Sequence, residues 1–389
     1  MAGLEEKLCP VCFQEAMEHG ECRNCGYHAE ESSAVKDYLA PFTILKEKYL
    51  LGKSLGQGGF GITYLAENMQ SGLRCCIKEY FPSGLLQGRT PDGALILADE
   101  ENRPEYEEGK QQFIEEACAL QELRENISVV DILDFFEENG TAYFAMELIE
   151  GCNLRVFRKN HNPKQTLKMA LQMLFLLGSS LAEVHRFGMI HGDISPENIL
   201  ITQDGEIKLI DFGAARSFRQ GSDNKERKIY LKPNYAPYEQ YTQKPCQGPW
   251  TDIYALAATF YFIVSGRKML DALSRAKGAS YPPLHELCPA VSRQLSDVID
   301  KALAFDYHDR YRRMLDFLDA LEQVVRPEDY DIDLGALMPK SKASKQAEIH
   351  VETSDDSEKM CQVEEQNMPE PKRLAAFFHP KKRRLAYLE

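Results

Sequence analysis

The sequence predicts an α+β chain, with a small strand-rich part first and a larger helical part after it. Three observations predict this. Between residues 49 and 150, β-branched and aromatic runs recur around a glycine-rich turn. Beyond residue 166, apolar side chains fall three and four apart, the period of a buried helix face. The first thirty residues stand apart, with four cysteines in two close pairs. A chain of 389 residues, 43% hydrophobic, has room for two or three domains and a real core.

The cysteine pairs come first. Cys9-Pro10-Val11-Cys12 and Cys22-Arg23-Asn24-Cys25 are Cys-x-x-Cys knuckles, spaced to set four thiolates tetrahedrally around one Zn²⁺. So short a segment cannot bury a useful core, so metal would supply its folding energy, on the order of 10 kcal/mol or more. Four cysteines complete the shell, which makes the site structural. Residues 1–30 are therefore read as a zinc ribbon and residues 31–45, polar with Pro41, as a linker.

Next, Gly56, Gly58 and Gly61 form G-x-G-x-x-G. In a dinucleotide fold the third glycine opens a helix. Here Ile62-Thr63-Tyr64-Leu65 continues as a strand, so the turn reads as a flap whose backbone N–H groups can cover phosphates. The following strand ends at Lys78. Phe113, Leu120 and Leu123 share one helix face, and Glu116 lies on it too. A carboxylate inside an apolar stripe needs a partner, and Lys78 is the evident one. Between them, residues 81–110 are longer than the connection requires and suggest an added hairpin around 89–98. Thr141–Gly151 is a strand ending at a glycine.

Residues 166–187 form a helix whose Met169, Met173, Leu174, Leu177, Leu181 and Val184 stripe is core. It leads into His191-Gly192-Asp193-Ile194-Ser195-Pro196-Glu197-Asn198 and a hairpin of strands 199–201 and 207–210 around Asp204-Gly205. The hairpin brings Asn198 and Asp211 together, with Asp193 near both. Two oxygen ligands and a free carboxylate suit a magnesium-bound phosphate beside a hydroxyl nucleophile. Residues 214–228 read as a mobile polar span. Thr251 caps a strongly apolar helix through Val264, and residues 291–303 and 313–325 are amphipathic helices. Beyond Pro327, a polar acidic stretch to about residue 371 is expected to be disordered, before a basic end with aromatics at 372–384.

Together these motifs resemble the eukaryotic-type (Hanks-type) serine/threonine protein kinases, bacterial members above all, over residues 46–326. The resemblance implies a bilobal protein kinase fold, with an N-lobe over 46–150 and a C-lobe over 151–326. It implies ATP and Mg²⁺ as cofactors and protein hydroxyls as acceptors. Gly56, Gly58 and Gly61 would cover the phosphates, and Lys78, paired with Glu116, would bind them. Glu147 and Ile149 would hold the adenine edge by backbone groups, with Met146 flanking the base. Asp193 would take the acceptor proton, and Asn198 and Asp211 would hold Mg²⁺. Glu239 would pair with Arg310, and Asp252 would anchor the catalytic loop.

Three departures matter. Gly192 stands where the family has arginine, so phosphorylation of the activation segment should not be obligatory. Ser195 stands where serine/threonine kinases have lysine. Lys232 stands where they have threonine, and is read as restoring the lost charge from across the cleft.

The bulk properties narrow the alternatives. A net charge of −14 makes DNA an unlikely partner, although the basic end could meet acidic lipid, RNA or the chain's own acidic stretch. The apolar run 253–264 is too short to span a bilayer, and the opening residues are polar and acidic. Eleven cysteines then read as reduced thiols or metal ligands in a cytosolic protein. An ATP-binding pseudokinase scaffold and a zinc-ribbon nucleic-acid binder remain as competing readings.

Overall fold

The computed structural model describes residues 7–29, 37–58, 61–124, 126, 128–212, 216–217, 231–242 and 246–338. Gly213, most of the span 214–228 and the basic end 372–384 lie outside the described residues. A short hairpin, β1 (Met17–Glu18) and β2 (Glu21–Cys22), carries the second cysteine knuckle.

The N-lobe is one antiparallel sheet of six strands. These are β3 (Ile44–Leu45), β4 (Tyr49–Gln57), β5 (Gly61–Asn68), β6 (Leu73–Tyr80), β9 (Ile132–Glu138) and β10 (Thr141–Glu147), in the order β3-β4-β5-β6-β10-β9. The expected linker is thus lobe from at least residue 37 onward. Ile44–Leu45 adds a strand, and Leu39 is buried with its N–H bonded to the Tyr64 hydroxyl at 3.1 Å. Alternation along β6 explains its chemistry. Cys75, Ile77 and Glu79 face one side of the sheet, and Lys78 and Tyr80 face the other.

On the Lys78 side lies helix α1 (Arg103–Glu122), which buries Phe113, Ala117 and Leu120. Phe113 packs on Phe144 and Tyr80, with ring centres 4.8 and 5.7 Å apart. Each buried side chain of this size contributes roughly 1.5–3 kcal/mol. On the opposite side, the expected added hairpin is present as β7 (Leu86–Arg89) and β8 (Leu95–Leu97). It is locked by an ion pair from Arg89 to the fully buried Glu79, which also accepts from Tyr143 at 2.8 Å and Tyr64 at 3.0 Å.

The C-lobe is helical. After β11 (Gly151–Asn153) and α2 (Leu154–Asn160), helix α3 (Pro163–Arg186) starts three residues before the expected 166, capped by Asn162 and Gln165. Helix α4 (Pro249–Ser265) is buried along almost its whole length. Thr251 is not its N-cap; the helix begins at Pro249, which its missing N–H suits, and Thr251 Oγ1 accepts from Gly248 N at 3.3 Å. Helices α5 (Arg293–Ala302) and α6 (Met314–Glu322) close the core.

Disorder does not begin at Pro327. Residues Pro327–Tyr330 form one more turn, Tyr330 stacks on Phe175, and Leu334 and Met338 are buried. Among the described residues one helix, Pro163–Arg186, is long and apolar enough to cross a membrane, and half of its apolar window is buried inside the protein.

Candidate active site

The loop after strand β12 (Met189–Ile190) carries Asp193, and Asp252 holds that loop. The Asp252 carboxylate accepts from His191 N at 2.8 Å, Gly192 N at 2.9 Å and His185 Nε2 at 2.8 Å. Burial works against its ionisation, but these hydrogen bonds outweigh burial and hold it below the usual carboxylate range. Gln240 Nε2 donates to the Gly192 carbonyl at 2.8 Å. Gly192 has φ 78, a conformation in which a side chain would be strained, so the replacement of arginine leaves this peptide relaxed. Burial pushes His191 down to about 4, so its ring is neutral at pH 7. Its Nδ1 accepts from Asp193 N at 3.1 Å, which leaves Nε2–H to donate to the Ile210 carbonyl at 3.2 Å.

The expected hairpin forms, as β13 (Ile199–Thr202) and β14 (Ile207–Leu209), with Ile199 opposite Leu209. At its base, Asn198 Nδ2 donates to the Asp193 carboxylate at 2.8 Å and its backbone carbonyl at 2.9 Å. The same carboxylate oxygen meets Lys232, whose Nζ lies 3.0 Å from Asp193 Oδ2 and 2.9 Å from Ser195 Oγ. Burial raises Asp193 to about 6; the Lys232 cation opposes that rise and the nearby Asp211 adds to it. Asn198 and Asp211 offer hard oxygen donors of the kind Mg²⁺ takes.

Lys78 departs from the expected pairing. Its Nζ bonds Asp211 Oδ1 at 2.6 Å, and no ion pair to Glu116 is found among the described residues. Asp211, at φ 64, is held well below the usual carboxylate range, first by that ammonium. Glu116 Oε1 is buried without a hydrogen-bond partner, and burial raises the carboxyl to about 8. Helix α1 therefore presents Glu116 toward the site, while Asp211 occupies the lysine.

The flap lies across β4 and β5. Gly58 N donates to the Gly61 carbonyl at 2.8 Å, and Gly56 pairs with Thr63. A β-carbon on Gly61 would meet the Glu79 carbonyl at 2.3 Å, and one on Gly58 would meet open space. At the edge of the cleft, the Glu147 N–H is committed to the Asp131 carbonyl at 3.0 Å, and its carboxylate holds Lys208 at 3.0 Å. Ile149 lies in the connection between β10 and β11.

Two scaffold expectations are met. Glu239 and Arg310 form a fully buried pair, at 2.7 and 3.1 Å. Sequence reasoning missed His185, Gln240 and the Glu79–Arg89 network. Glu79 could have been found: a carboxylate next to Lys78 on an apolar strand must face the opposite side of the sheet.

At the N-terminus, Cys9, Cys12, Cys22 and Cys25 bring their sulfur atoms within 4.8 Å of one another. Cys9–Cys25 and Cys12–Cys22 are each 3.6 Å apart. A tetrahedral ion with bonds of about 2.3 Å needs sulfur separations near ~3.8 Å, so the cluster fits one metal ion.

Comparison with known proteins agrees with this geometry. The model of the protein kinase domain matches residues 49–319. Serine/threonine-protein kinase F of Synechocystis is 31% identical over 69% of this chain and 53% of its own length. Serine/threonine-protein kinase PrkC of Bacillus subtilis is 28% identical over 68% of this chain and 38% of its own length. The chain spans about half or less of the length of these curated relatives. A solved structure described as the apo form of PpkA-294 is 34% identical, with a TM-score of 0.62, and covers 74% of this chain and 100% of its own. A two-lobed fold, a glycine flap, a buried lysine and an aspartate–asparagine loop, matched from residue 49 to 319, mean that this chain belongs to the protein kinase family.

Proposed function

We propose that the protein is a serine/threonine protein kinase that transfers the γ-phosphoryl group of MgATP to protein hydroxyls. The observation that carries this is the Asp193 carboxylate, fixed by Asn198 and Lys232 and facing the Lys78–Asp211 pair. The acceptor hydroxyl oxygen attacks the γ-phosphorus, and the bond to the β–γ bridging oxygen breaks, releasing ADP. Asp193 takes the hydroxyl proton as general base, which in enzymes at large is worth about 10²–10⁴-fold. Magnesium held by Asn198 and Asp211 would neutralise charge on the phosphate oxygens. With Asp211 committed to such an ion, Lys78 would be free to meet Glu116 and the phosphates. Gly56, Gly58 and Gly61 lay backbone over the phosphates, and the carbonyl of Glu147 and the backbone of Ile149 meet the base. Zinc is the metal that best suits Cys9, Cys12, Cys22 and Cys25, since four thiolates in a closed shell are its preferred structural site. The cytoplasm, where MgATP and reduced thiols occur, is the compartment this reading implies.

Lys232 supplies the cation that Ser195 lacks. Its position between the Ser195 hydroxyl and the Asp193 carboxylate supports this. The same ammonium then steadies the γ-phosphate and keeps Asp193 ionised. Radiolabel transfer from MgATP to serine, threonine and tyrosine peptides tests the whole reading. Labelling of serine or threonine by protein never exposed to another kinase is expected. Nucleotide binding with no labelled side chain would leave a nucleotide-gated scaffold instead. For Lys232→Ala, unchanged turnover alongside an inactive Asp193→Asn would remove Lys232 from the chemistry.

A further inference from the structure

The metal knuckle is not a separate appendage; it is built into the strand that carries the flap. Pairing of β4 with β5 breaks register between Leu51 and Ser54. In that break Lys53 N–H turns away from the ladder and donates to the Pro10 carbonyl, at 2.9 Å. Pro10 lies between Cys9 and Cys12. Beside it, Gly52 has no room for a side chain: a β-carbon would sit 2.2 Å from the Pro10 oxygen and 2.8 Å from Phe13 Cζ. Phe13 is itself buried, and its N–H is bonded to the Cys9 carbonyl at 2.9 Å. On the second knuckle, the Tyr27 ring lies under Lys53 Nζ, 5.9 Å from its centre. Gly56 is four residues further along β4, about 13 Å at strand rise.

A bulge leaves a backbone donor without a ladder partner and increases local twist. Here the first knuckle supplies that partner, and the shape of the knuckle is set by whatever holds Cys9 and Cys12 together. We infer that the four-cysteine ribbon is a positioning element for nucleotide binding: with metal bound, Pro10 and Phe13 clamp the bulge at Gly52–Lys53 and so fix the approach of the Gly56–Gly61 flap over the phosphates. Removing the metal frees the bulge, and β4 then holds Gly56 and Gly58 less firmly in place for bound nucleotide. This rests on the kinase reading for the identity of the ligand.

The test uses the full chain, loaded with one zinc per chain as verified by metal analysis. MgADP and MgATP dissociation constants are measured by calorimetry, before and after zinc removal by a chelator. Hydrogen exchange of the Lys53 amide is followed in parallel. Gly52→Val undocks the knuckle without touching a cysteine, and Phe13→Ala does so from the other side without loading the strand. The expected result is a nucleotide Kd weakened about 5- to 20-fold by chelation or by either variant, with faster Lys53 exchange. In the variants chelation adds nothing further. In turnover, KM for ATP rises by the same factor and kcat stays within about twofold. A Kd indifferent to chelation and to both variants overturns the inference, as does a fall in kcat at constant KM. If the protein binds nucleotide in this zinc-dependent manner but labels no acceptor, the clamp stands and only the kinase reading falls. If it binds no nucleotide at all, both fall.

Discussion

Two charge clusters in this protein are built to different standards. In the C-lobe, Arg310 is completely enclosed, and its guanidinium meets both oxygens of Glu239 and the carbonyls of Ala304 and Phe305. Nearby Asp252 accepts three hydrogen bonds. In the cleft, Lys78 has one carboxylate of two, and Glu116 keeps a buried oxygen without a partner. The Arg310–Glu239 pair, bonded on both sides, has nothing left to exchange and acts as frame. A cluster with one carboxylate too many can trade partners, and that trade is what admission of a cation at Asp211 would drive. Satisfaction of polar groups thus separates these two pairs more sharply than burial does, because Lys78 and the Glu116 oxygen are enclosed as Arg310 is, even though Asp211 is partly exposed.

The comparison can be broken experimentally. The largest effect is expected from Asp193→Asn, which keeps the shape but removes the base. Turnover should fall by about 10²–10⁴-fold while the unfolding midpoint stays put, as read by steady-state kinetics beside thermal denaturation. In the frame cluster the reverse pattern is expected. Glu239→Ala strands a buried guanidinium and should cost about 3–5 kcal/mol in denaturant unfolding. If it lost activity with stability unchanged, Glu239 would belong with the working parts.

The pH profile sharpens the distinction within the cleft. With Asp193 raised to about 6, kcat/KM should rise with pH through that region, since only the ionised base accepts a proton. The Lys232 cation holds this value down, so Lys232→Ala should move the acid limb to higher pH in addition to lowering the plateau. A plateau loss with an unmoved limb would make Lys232 a phosphate contact alone.

The smallest effect concerns Glu116. Burial raises its carboxyl to about 8, above its unfolded value, while Asp211 holds Lys78. Stability from the protonated group is therefore complete below about pH 4.3 and is lost as pH rises through 8. Glu116→Gln should flatten that decline in urea titrations between pH 5 and 8 without MgATP. An unchanged slope would mean that Glu116 already has its charge compensated.

Much of this site was legible in the residue order because its chemistry is local. Asn198 and Asp211 flank one hairpin, and four residues separate Asp193 from Asn198, so strand pairing alone brings them together. The start of helix α3 was missed by three residues because Asn162 and Pro163 begin it outside the apolar stripe. Other features depend on encounters between distant segments. The Lys78–Asp211 bond joins residues 133 apart, and the sequence pattern does not say which of two carboxylates holds the lysine. The same is true of Pro10 on Lys53, a polar group whose partner a one-dimensional pattern does not name. The ordered stretch after Pro327 escaped because its few apolar anchors, Tyr330, Leu334 and Met338, although four residues apart, stand among Asp329, Asp331 and Asp333 and read as part of an acidic tail.

That stretch has a consequence for the catalytic hairpin. The tip of a β-turn is ordinarily where a protein accepts extra residues or bulk most freely. In this chain the tip lies against another backbone: a β-carbon on Gly205 would come within 2.4 Å of Gly335 N and 2.9 Å of the Leu334 carbonyl carbon. The turn between β13 and β14 is thereby pinned at one point, while Gln203, Asp204 and Glu206 stay exposed. A side chain at Gly205 would wedge the following chain outward, so bulk added to this turn is tolerated at its exposed residues and refused at the glycine.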